Sequence, residues 1–232
     1  YPEAHNNLGN ALKNLGRLSK AVECFERMLT IDPDNAEGHN NLGNTLYVLG
    51  QPNAAGKSYM KALTIEPDYA EAHNNLGITL NELGRFEDAE ASYNRALAIA
   101  PHFPEAYSNL GDLLTDLKRL DEALVSYETA FNLKPDIIFM LGKLLHTKMH
   151  LCLWDDLSSR LDELQDKIHN NEKVIPPFPM LGLIDDPELQ RKVTEIFVNK
   201  HHPKNHDLPK IGLYPKHKKI RIGYFSADFK EH

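Results

Sequence analysis

Residues 37–50 read Glu-Gly-His-Asn-Asn-Leu-Gly-Asn-Thr-Leu-Tyr-Val-Leu-Gly, and this stretch decides the fold. Leu42, Leu46 and Leu49 recur at intervals of three and four residues, which places them on one side of a helix. Gly50 follows the last turn of that helix, where a residue with positive φ ends it without a steric penalty from Cβ. The stretch therefore predicts one amphipathic helix that a glycine terminates.

The same pattern returns every 34 residues over the first part of the chain. A second helix follows each first one, and in the second unit it is predicted from about Pro52 to Ile65. Its buried stripe combines the small Ala55 and Ala62 with the large Tyr59, as two closely packed helices require. The equivalent positions are Leu8, Leu42, Leu76 and Leu110; Gly9, Gly43, Gly77 and Gly111; Phe25, Tyr59, Tyr93 and Tyr127; and Pro33, Pro67, Pro101 and Pro135. This is the period of tetratricopeptide repeats, whose helix pairs stack into a solenoid because one pair cannot bury its apolar face alone.

The glycines inside the first helices are unfavourable for helix formation, so their presence requires an explanation. Gly43 and its equivalents each cost about 0.5–1 kcal/mol in helix propensity relative to alanine. We expect close approach of the paired second helix to offset that cost. We also expect the stacked pairs to wind as a right-handed superhelix.

The whole chain is predicted to be mainly α, an α-solenoid followed by the first strand of a Rossmann-like α/β domain. The predicted regions are 1–135, four repeats of which the first is entered in mid-unit; 136–170, a degenerate fifth repeat that caps the array; 171–218, a linker with one helix; and 219–232, the start of a catalytic domain. The linker helix is predicted from about Asp186 to Asn199, and Pro176–Pro179 are expected to be extended. Trp154 is expected in the core.

Composition agrees with a helical chain inside the cell. Hydrophobic residues make up 41% of the 232 residues and charged ones 25%, and no apolar run reaches the roughly 20 residues of a membrane span. The two cysteines, Cys24 and Cys152, lie far apart, so a disulfide is not expected and a reducing compartment fits. The formal charge of −7 argues against nucleic acid as a partner. We expect an intracellular, cytoplasmic location, or a nuclear one in a eukaryote.

The last fourteen residues change character. Residues 219–226, Lys-Ile-Arg-Ile-Gly-Tyr-Phe-Ser, alternate and are rich in β-formers, so they predict a strand. The turn that follows, Ser226-Ala227-Asp228-Phe229, suggests the opening unit of a doubly wound α/β domain. Ligands of such domains gather beyond the carboxyl ends of the strands, and His232 falls at that place in the sequence.

Three sequence features together resemble one family. They are repeats of the form His-Asn-Asn-Leu-Gly, then Cys152-Leu153-Trp154-Asp155-Asp156, then Ile220-Arg221-Ile222-Gly223-Tyr224-Phe225-Ser226-Ala227-Asp228-Phe229-Lys230-Glu231-His232. In this order they look like the O-linked N-acetylglucosamine transferases of glycosyltransferase family 41. The resemblance covers the whole chain, and the Gly-Tyr-x-Ser-x-Asp-Phe-x-x-His string is its specific part, because many unrelated proteins carry the repeats.

The resemblance implies a function and a catalytic residue. The strand would open the first of two Rossmann-like lobes, and His232 would lie in the catalytic cleft of an enzyme that moves N-acetylglucosamine from UDP-N-acetylglucosamine to Ser or Thr of proteins. The second lobe, which binds most of the donor, has no counterpart in these residues. We therefore interpret the chain as an excerpt that binds no cofactor and is inactive by itself. The alternative is a noncatalytic repeat scaffold that binds extended peptides of partner proteins.

The resemblance also implies a peptide site. Asn7, Asn41, Asn75 and Asn109 occupy one position in each repeat. In the resembled family this position forms an asparagine ladder in the concave groove that holds extended segments of acceptor proteins. The alternative is that these amides only cap or bridge helices. The preceding residues Asn6, Asn40 and Asn74 are weaker candidates, because Ser108 interrupts their series.

The histidines are not expected to bind metal. His5, His39 and His73 recur at one position, and Tyr107 replaces them in the fourth repeat, which favours a packing role. Repeats about 10 Å apart cannot bring three imidazoles within the roughly 2 Å of a shared metal ion. A second group, His201, His202 and His206, fits either a metal tract or a solvated linker, and we favour the linker.

Overall fold

The computed structural model describes residues 1–201, and within them the chain forms twelve α-helices and no strand. The helices are α1 Pro2–Asn14, α2 Leu18–Ile31, α3 Ala36–Val48, α4 Pro52–Ile65, α5 Ala70–Glu82, α6 Phe86–Ile99, α7 Pro104–Asp116, α8 Leu120–Leu133, α9 Met140–His150, α10 Leu157–His169, α11 Pro177–Leu183 and α12 Pro187–His201. The predicted strand at 219–232 lies outside the described residues. No helix within residues 1–201 is long and apolar enough to cross a membrane.

The first eight helices form four pairs with the same local signals. The predicted span Pro52 to Ile65 is the observed α4. Gly16, Gly50 and Gly84 end the first helices with φ of 71°, 73° and 72°, as predicted. At the second of these, the Gln51 N–H donates to the Leu46 carbonyl and the Gly50 N–H to the Tyr47 carbonyl, which closes the last turn of α3.

Within each pair the mid-helix glycine lies directly against an aromatic ring. A Cβ on Gly43 would stand 2.6 Å from Cε1 of Tyr59, and one on Gly77 would stand 2.6 Å from Cε1 of Tyr93. Tyr59 is 2% exposed, and the small residues beside it on α4, Ala55 and Ala62, are fully buried. The expected close approach of the paired helix is therefore confirmed as the reason for glycine at this position.

Neighbouring pairs contact each other mainly where each first helix packs on the second helix before it, and the first helices also touch one another. α1 packs on α3, α3 on α5 and α5 on α7, in addition to the contacts of each first helix with the second helix before it. The second helices of neighbouring repeats do not come together to the same extent. In a curved stack the closer elements lie on the inside, so the first helices line the inner wall. The handedness of the superhelix stays a prediction.

The residues after α10 cover the end of the array. The Phe139 N–H donates to the Lys173 carbonyl, and the Gly142 N–H donates to the Val174 carbonyl, at 2.7 and 2.8 Å. Ile175 is buried against α9, where a Cβ on Gly142 would stand 2.6 Å from it. The apolar side of α9 is thus closed by an irregular segment instead of a sixth regular repeat.

Two expectations for this region are wrong and one is confirmed. Only Pro176 of the proline-rich segment is extended, and a short helix, α11, begins at Pro177. Proline is tolerated there because the N–H groups of the first helical residues have no partner within the helix. Trp154 is 51% exposed, since it lies in the turn between α9 and α10. The linker helix predicted from about Asp186 is observed as α12, and Asp186 caps it by accepting from the backbone N–H groups of Glu188 and Leu189.

Candidate functional site

A row of paired amide side chains joins the first helices across the repeat boundaries. In each hydrogen bond, the Nδ2 of an asparagine in one repeat donates to the Oδ1 of an asparagine 35 positions earlier, in the preceding repeat. The pairs are Asn41 to Asn6 at 3.0 Å, Asn75 to Asn40 at 3.1 Å and Asn109 to Asn74 at 2.9 Å. We call these six residues the amide ladder, with Asn41, Asn75 and Asn109 as its donors and Asn6, Asn40 and Asn74 as its acceptors.

Glutamates complete the first two junctions of the ladder. The Nδ2 of Asn6 donates to Oε1 of Glu37, and the Nδ2 of Asn40 donates to Oε1 of Glu71, each at 3.2 Å. Glu71 lies four residues before Asn75, so the two side chains share one face of α5. The acceptor Asn40 is therefore held at both ends of its amide by one helix of the next repeat.

The third junction is built differently. Glu105, the equivalent of Glu71, accepts instead from Nζ of Lys134 at 2.9 Å, and this bond lowers the pKa of the Glu105 carboxyl. The Nδ2 of Asn74 donates to Oδ1 of Asn75 at 3.4 Å. The bond from Asn109 to Asn74 persists, so the asparagine pair is the constant element of the ladder and the glutamate is not.

Donors and acceptors of the ladder differ in their exposure. Asn40 and Asn74 are 1% and 5% exposed, whereas Asn75 and Asn109 are only half-buried. Asn41 is buried, and Asn7 is exposed on α1 and makes no such bond within residues 1–201. The structure therefore brings three of the four predicted asparagines into one row. It also shows that the weaker candidates, Asn40 and Asn74, are their partners.

The fifth repeat continues the row with a lysine. Lys143 lies 34 positions after Asn109, and its Nζ contacts Oγ of Ser108 at 3.2 Å and Oδ2 of Asp112 at 2.6 Å. The Tyr127 hydroxyl donates to the other oxygen of Asp112 at 2.7 Å. The amide row thus ends in the charged pair of Lys143 and Asp112. Ser108 interrupts the acceptor series in the sequence, but like Asn74 it accepts a hydrogen bond from the following repeat.

The first helices carry mostly acidic charge. Their ionisable residues from α1 to α7, apart from the histidines and tyrosines, are Glu3, Lys13, Glu37, Glu71, Glu82, Glu105, Asp112 and Asp116, which is seven carboxylates against one lysine. Burial, and then its hydrogen bond to Glu82, raise the pKa of Tyr47 to about 12. We call this surface the acidic wall; two of its carboxylates, Glu105 and Asp112, are paired with Lys134 and Lys143.

The recurring histidines hold the loops between repeats. Nε2 of His39 lies 3.0 Å from the Pro33 carbonyl, and Nε2 of His73 lies 2.9 Å from the Pro67 carbonyl. Each ring therefore donates to the turn that precedes its own helix. His232, the predicted catalytic residue, lies outside the described residues.

Stacked helix pairs of this kind define the class of α-solenoid repeat proteins. Models of the tetratricopeptide repeat match residues 2–35, 34–102 and 80–137. The three matches run together without a gap, so residues 2–137 belong to the tetratricopeptide repeat family. The chain has no match among curated proteins.

Solved structures share the fold over most of the chain. MamA is 25% identical, with a TM-score of 0.62 over 70% of this chain and 95% of that one. PilF of Pseudomonas aeruginosa is 19% identical, with a TM-score of 0.70 over 88% and 93%. YrrB, described as a TPR protein with an unusual peptide-binding site, is 19% identical, with a TM-score of 0.56 over 82% and 90%. These likenesses establish the repeat solenoid.

Proposed function

We propose that this chain is a tetratricopeptide scaffold that binds extended segments of partner proteins along its inner wall. The observation that carries the proposal is the amide ladder, which fixes a row of identical polar groups at one position in successive repeats. The description of YrrB as a peptide-binding protein of this fold supports it.

The donors of the ladder keep hydrogen-bonding capacity for a peptide. A side-chain amide has two hydrogens on nitrogen and two lone pairs on oxygen. Asn109 uses one hydrogen in its bond to Asn74, which leaves the second hydrogen and the Oδ1 lone pairs. An extended chain advances about 3.3 Å per residue and the first helices are roughly 10 Å apart, so one amide would serve about every third residue. Backbone recognition of this kind tolerates many sequences.

The bonds within the ladder have a second consequence for binding. They hold each donor amide in one orientation, so a peptide meets groups that are already ordered and the entropy cost of binding falls. The acidic wall adds a preference, because segments with lysine or arginine are attracted and phosphorylated segments are repelled.

The experiment compares donors with acceptors of the ladder. An unstructured, lysine-containing peptide is titrated by fluorescence anisotropy against the wild type, Asn75→Ala/Asn109→Ala and the matched control Asn40→Ala/Asn74→Ala. Each lost hydrogen bond to the peptide contributes about 0.5–1.5 kcal/mol, so the donor variant, which loses two, should bind about 5- to 150-fold more weakly. The control removes the same bonds between repeats, but its side chains are too buried to touch a peptide.

The two variants separate direct contact from loss of shape. A larger loss of binding by the donor variant than by the control supports the proposal, because the control loses the ordering of the donor amides but keeps the amides themselves. Equal losses in both would mean that the ladder acts only by setting the curvature of the array, and no loss in either would remove it from peptide binding.

A finer proposal rests on the sequence beyond the array. We propose that this scaffold is the acceptor-recognising arm of a protein O-GlcNAc transferase, because residues 220–232 resemble the start of that catalytic region. Its test is transfer of labelled N-acetylglucosamine from UDP-N-acetylglucosamine to a serine-rich peptide by the longest natural form of the protein. His232→Ala should then lower transfer by about 10²–10⁴-fold, the usual contribution of a positioned acid or base. Absence of transfer by that form would leave the scaffold proposal alone.

A further inference from the structure

Two histidines lie one turn apart on α9. His146 and His150 are four residues apart, so both project from the same face of the helix. Their Nε2 atoms are 3.2 Å apart, and their ring planes meet nearly edge to face at 82°. His150 is exposed and His146 is half-buried, so the pair opens to solvent on one side.

The separation of the two nitrogens matches the requirement of a shared metal ion. An ion about 2.0–2.1 Å from each nitrogen, with the nitrogens 3.2 Å apart, subtends an angle of about 100–105°. That angle is close to the tetrahedral value. Imidazole nitrogen is a preferred ligand of Zn²⁺, Cu²⁺ and Ni²⁺, and two histidines at positions i and i+4 of a helix are a known way to present it.

We propose that His146 and His150 form a binding site for a divalent transition-metal ion, in which Nε2 of each ring is a ligand and water fills the remaining positions. No group of three or more potential ligand side chains exists within residues 1–201, so the site has two protein ligands. It is therefore open, and a side chain of a bound partner can replace one of the waters.

The state of the two rings favours such an ion. Without metal, one Nε2 carries the hydrogen that lies between the nitrogens. In the complex both lone pairs point to the metal, so each ring keeps its hydrogen on Nδ1 and no net proton leaves a neutral pair.

The two lysines of α9 are each paired with a carboxylate. Nζ of Lys148 is held by Asp156 at 3.0 Å, and Nζ of Lys143 is held by Asp112 at 2.6 Å. Both ammonium groups are thus neutralised by carboxylates, which reduces their repulsion of a cation at the histidine pair.

The test is a titration of the full 232-residue chain with Zn²⁺ against a fluorescent zinc indicator, repeated with Cu²⁺. Even a change outside the ligand set weakens metal binding by about 10–100-fold, so loss of a ligand in His146→Gln or His150→Gln should weaken it at least tenfold. The matched control is His201→Gln/His202→Gln/His206→Gln, which removes the other histidine-rich segment of the chain. Circular dichroism at each step verifies that helical content is the same.

Three outcomes would overturn the proposal. They are failure of the wild type to compete with the indicator for either ion, unchanged affinity in both single variants, and loss of binding in the control alone. A zinc-dependent rise in melting temperature that His150→Gln abolishes would support the proposal independently, because an ion that bridges two turns stabilises α9.

Discussion

Asn75 donates a hydrogen bond to Asn40 across the boundary between two repeats, and 3.1 Å separates its Nδ2 from the Oδ1 of Asn40. Asn40 is 1% exposed, and its own Nδ2 donates to Glu71 on the same helix as Asn75. A buried amide is costly unless it is paired, and here both ends of the amide find partners on one neighbouring helix. The bond therefore fixes how one repeat sits on the next.

Asn40→Ala should destabilise the array at this boundary. The substitution removes three hydrogen bonds, with Asn75, Glu71 and the Tyr69 hydroxyl, and leaves the amide of Asn75 with one partner fewer, at a cost of about 1–3 kcal/mol. Urea unfolding followed by circular dichroism measures the loss, with the exposed Asn53→Ala on α4 as control. Hydrogen exchange should show faster opening in α3 and α5 than elsewhere. A variant as stable as the control would mean that the paired amides contribute nothing net.

Gly77→Ala and Gly56→Ala should have opposite effects, although both place alanine inside a helix. The Cβ at residue 77 would meet the Tyr93 ring at 2.6 Å, whereas the nearest atom to a Cβ at residue 56 is 3.7 Å away. Alanine favours helix over glycine by about 1 kcal/mol, so Gly56→Ala should stabilise by up to that amount. Gly77→Ala should destabilise by about 1–3 kcal/mol through overpacking. Chemical denaturation of both variants checks the sign, and two stabilised variants would contradict the packing account.

Lys118→Gly should stabilise the fourth repeat. Lys118 has φ of 63° at the position where Gly16, Gly50 and Gly84 end the first helices. A left-handed conformation costs a residue with Cβ roughly 1–2 kcal/mol, and glycine avoids that cost. Lys118→Ala is the control, since it removes the side chain but keeps the Cβ. Thermal melting should rank glycine above both lysine and alanine. Equal stability of the glycine and alanine variants would show that φ is not the cause.

Stability should fall in alkali because of the buried tyrosines. Burial is the main cause that raises the pKa of Tyr47 and Tyr69 from 10.0 to about 12, and it raises the pKa of Tyr59, Tyr93 and Tyr127 further. Phenol is neutral when protonated, so the folded state holds its protons more tightly than the unfolded chain does. This contribution is complete below pH 10 and is lost as pH rises toward 12.

The measurement compares the wild type with Tyr47→Phe. Urea midpoints are recorded at pH 8 and again between 10.0 and about 12, the unfolded and folded pKa values of Tyr47. Tyrosinate absorbance follows the ionisation. Tyr47→Phe should lose less stability over this range, because phenylalanine has no proton to release. Lysine deprotonation affects both proteins alike and cancels in the difference. An identical alkaline loss in the two proteins would exclude Tyr47 as a contributor.

The acceptor side of the amide ladder shows why sequence reasoning stopped short of the site. Asn41, Asn75 and Asn109 stand out because they repeat without exception, whereas Ser108 breaks the series of Asn40 and Asn74. The structure shows that serine still accepts at this position, from Lys143. Two signals in the sequence point to the pairing: the adjacent asparagines, and the glutamate four residues before each donor. Neither reveals which repeat supplies the partner.

The sequence by itself determined the local elements of this protein. The 34-residue period, the first and second helices and the glycine ends follow from side-chain spacing and backbone sterics within a few residues, so no distant contact is needed to predict them. Tertiary structure decided the rest. The partners of the ladder lie 35 positions apart and meet only because repeats stack, and α11 forms where the chain packs on α9. Trp154 stays exposed because it lies in the turn between two helices, and that is a property of the folded array and not of the residue.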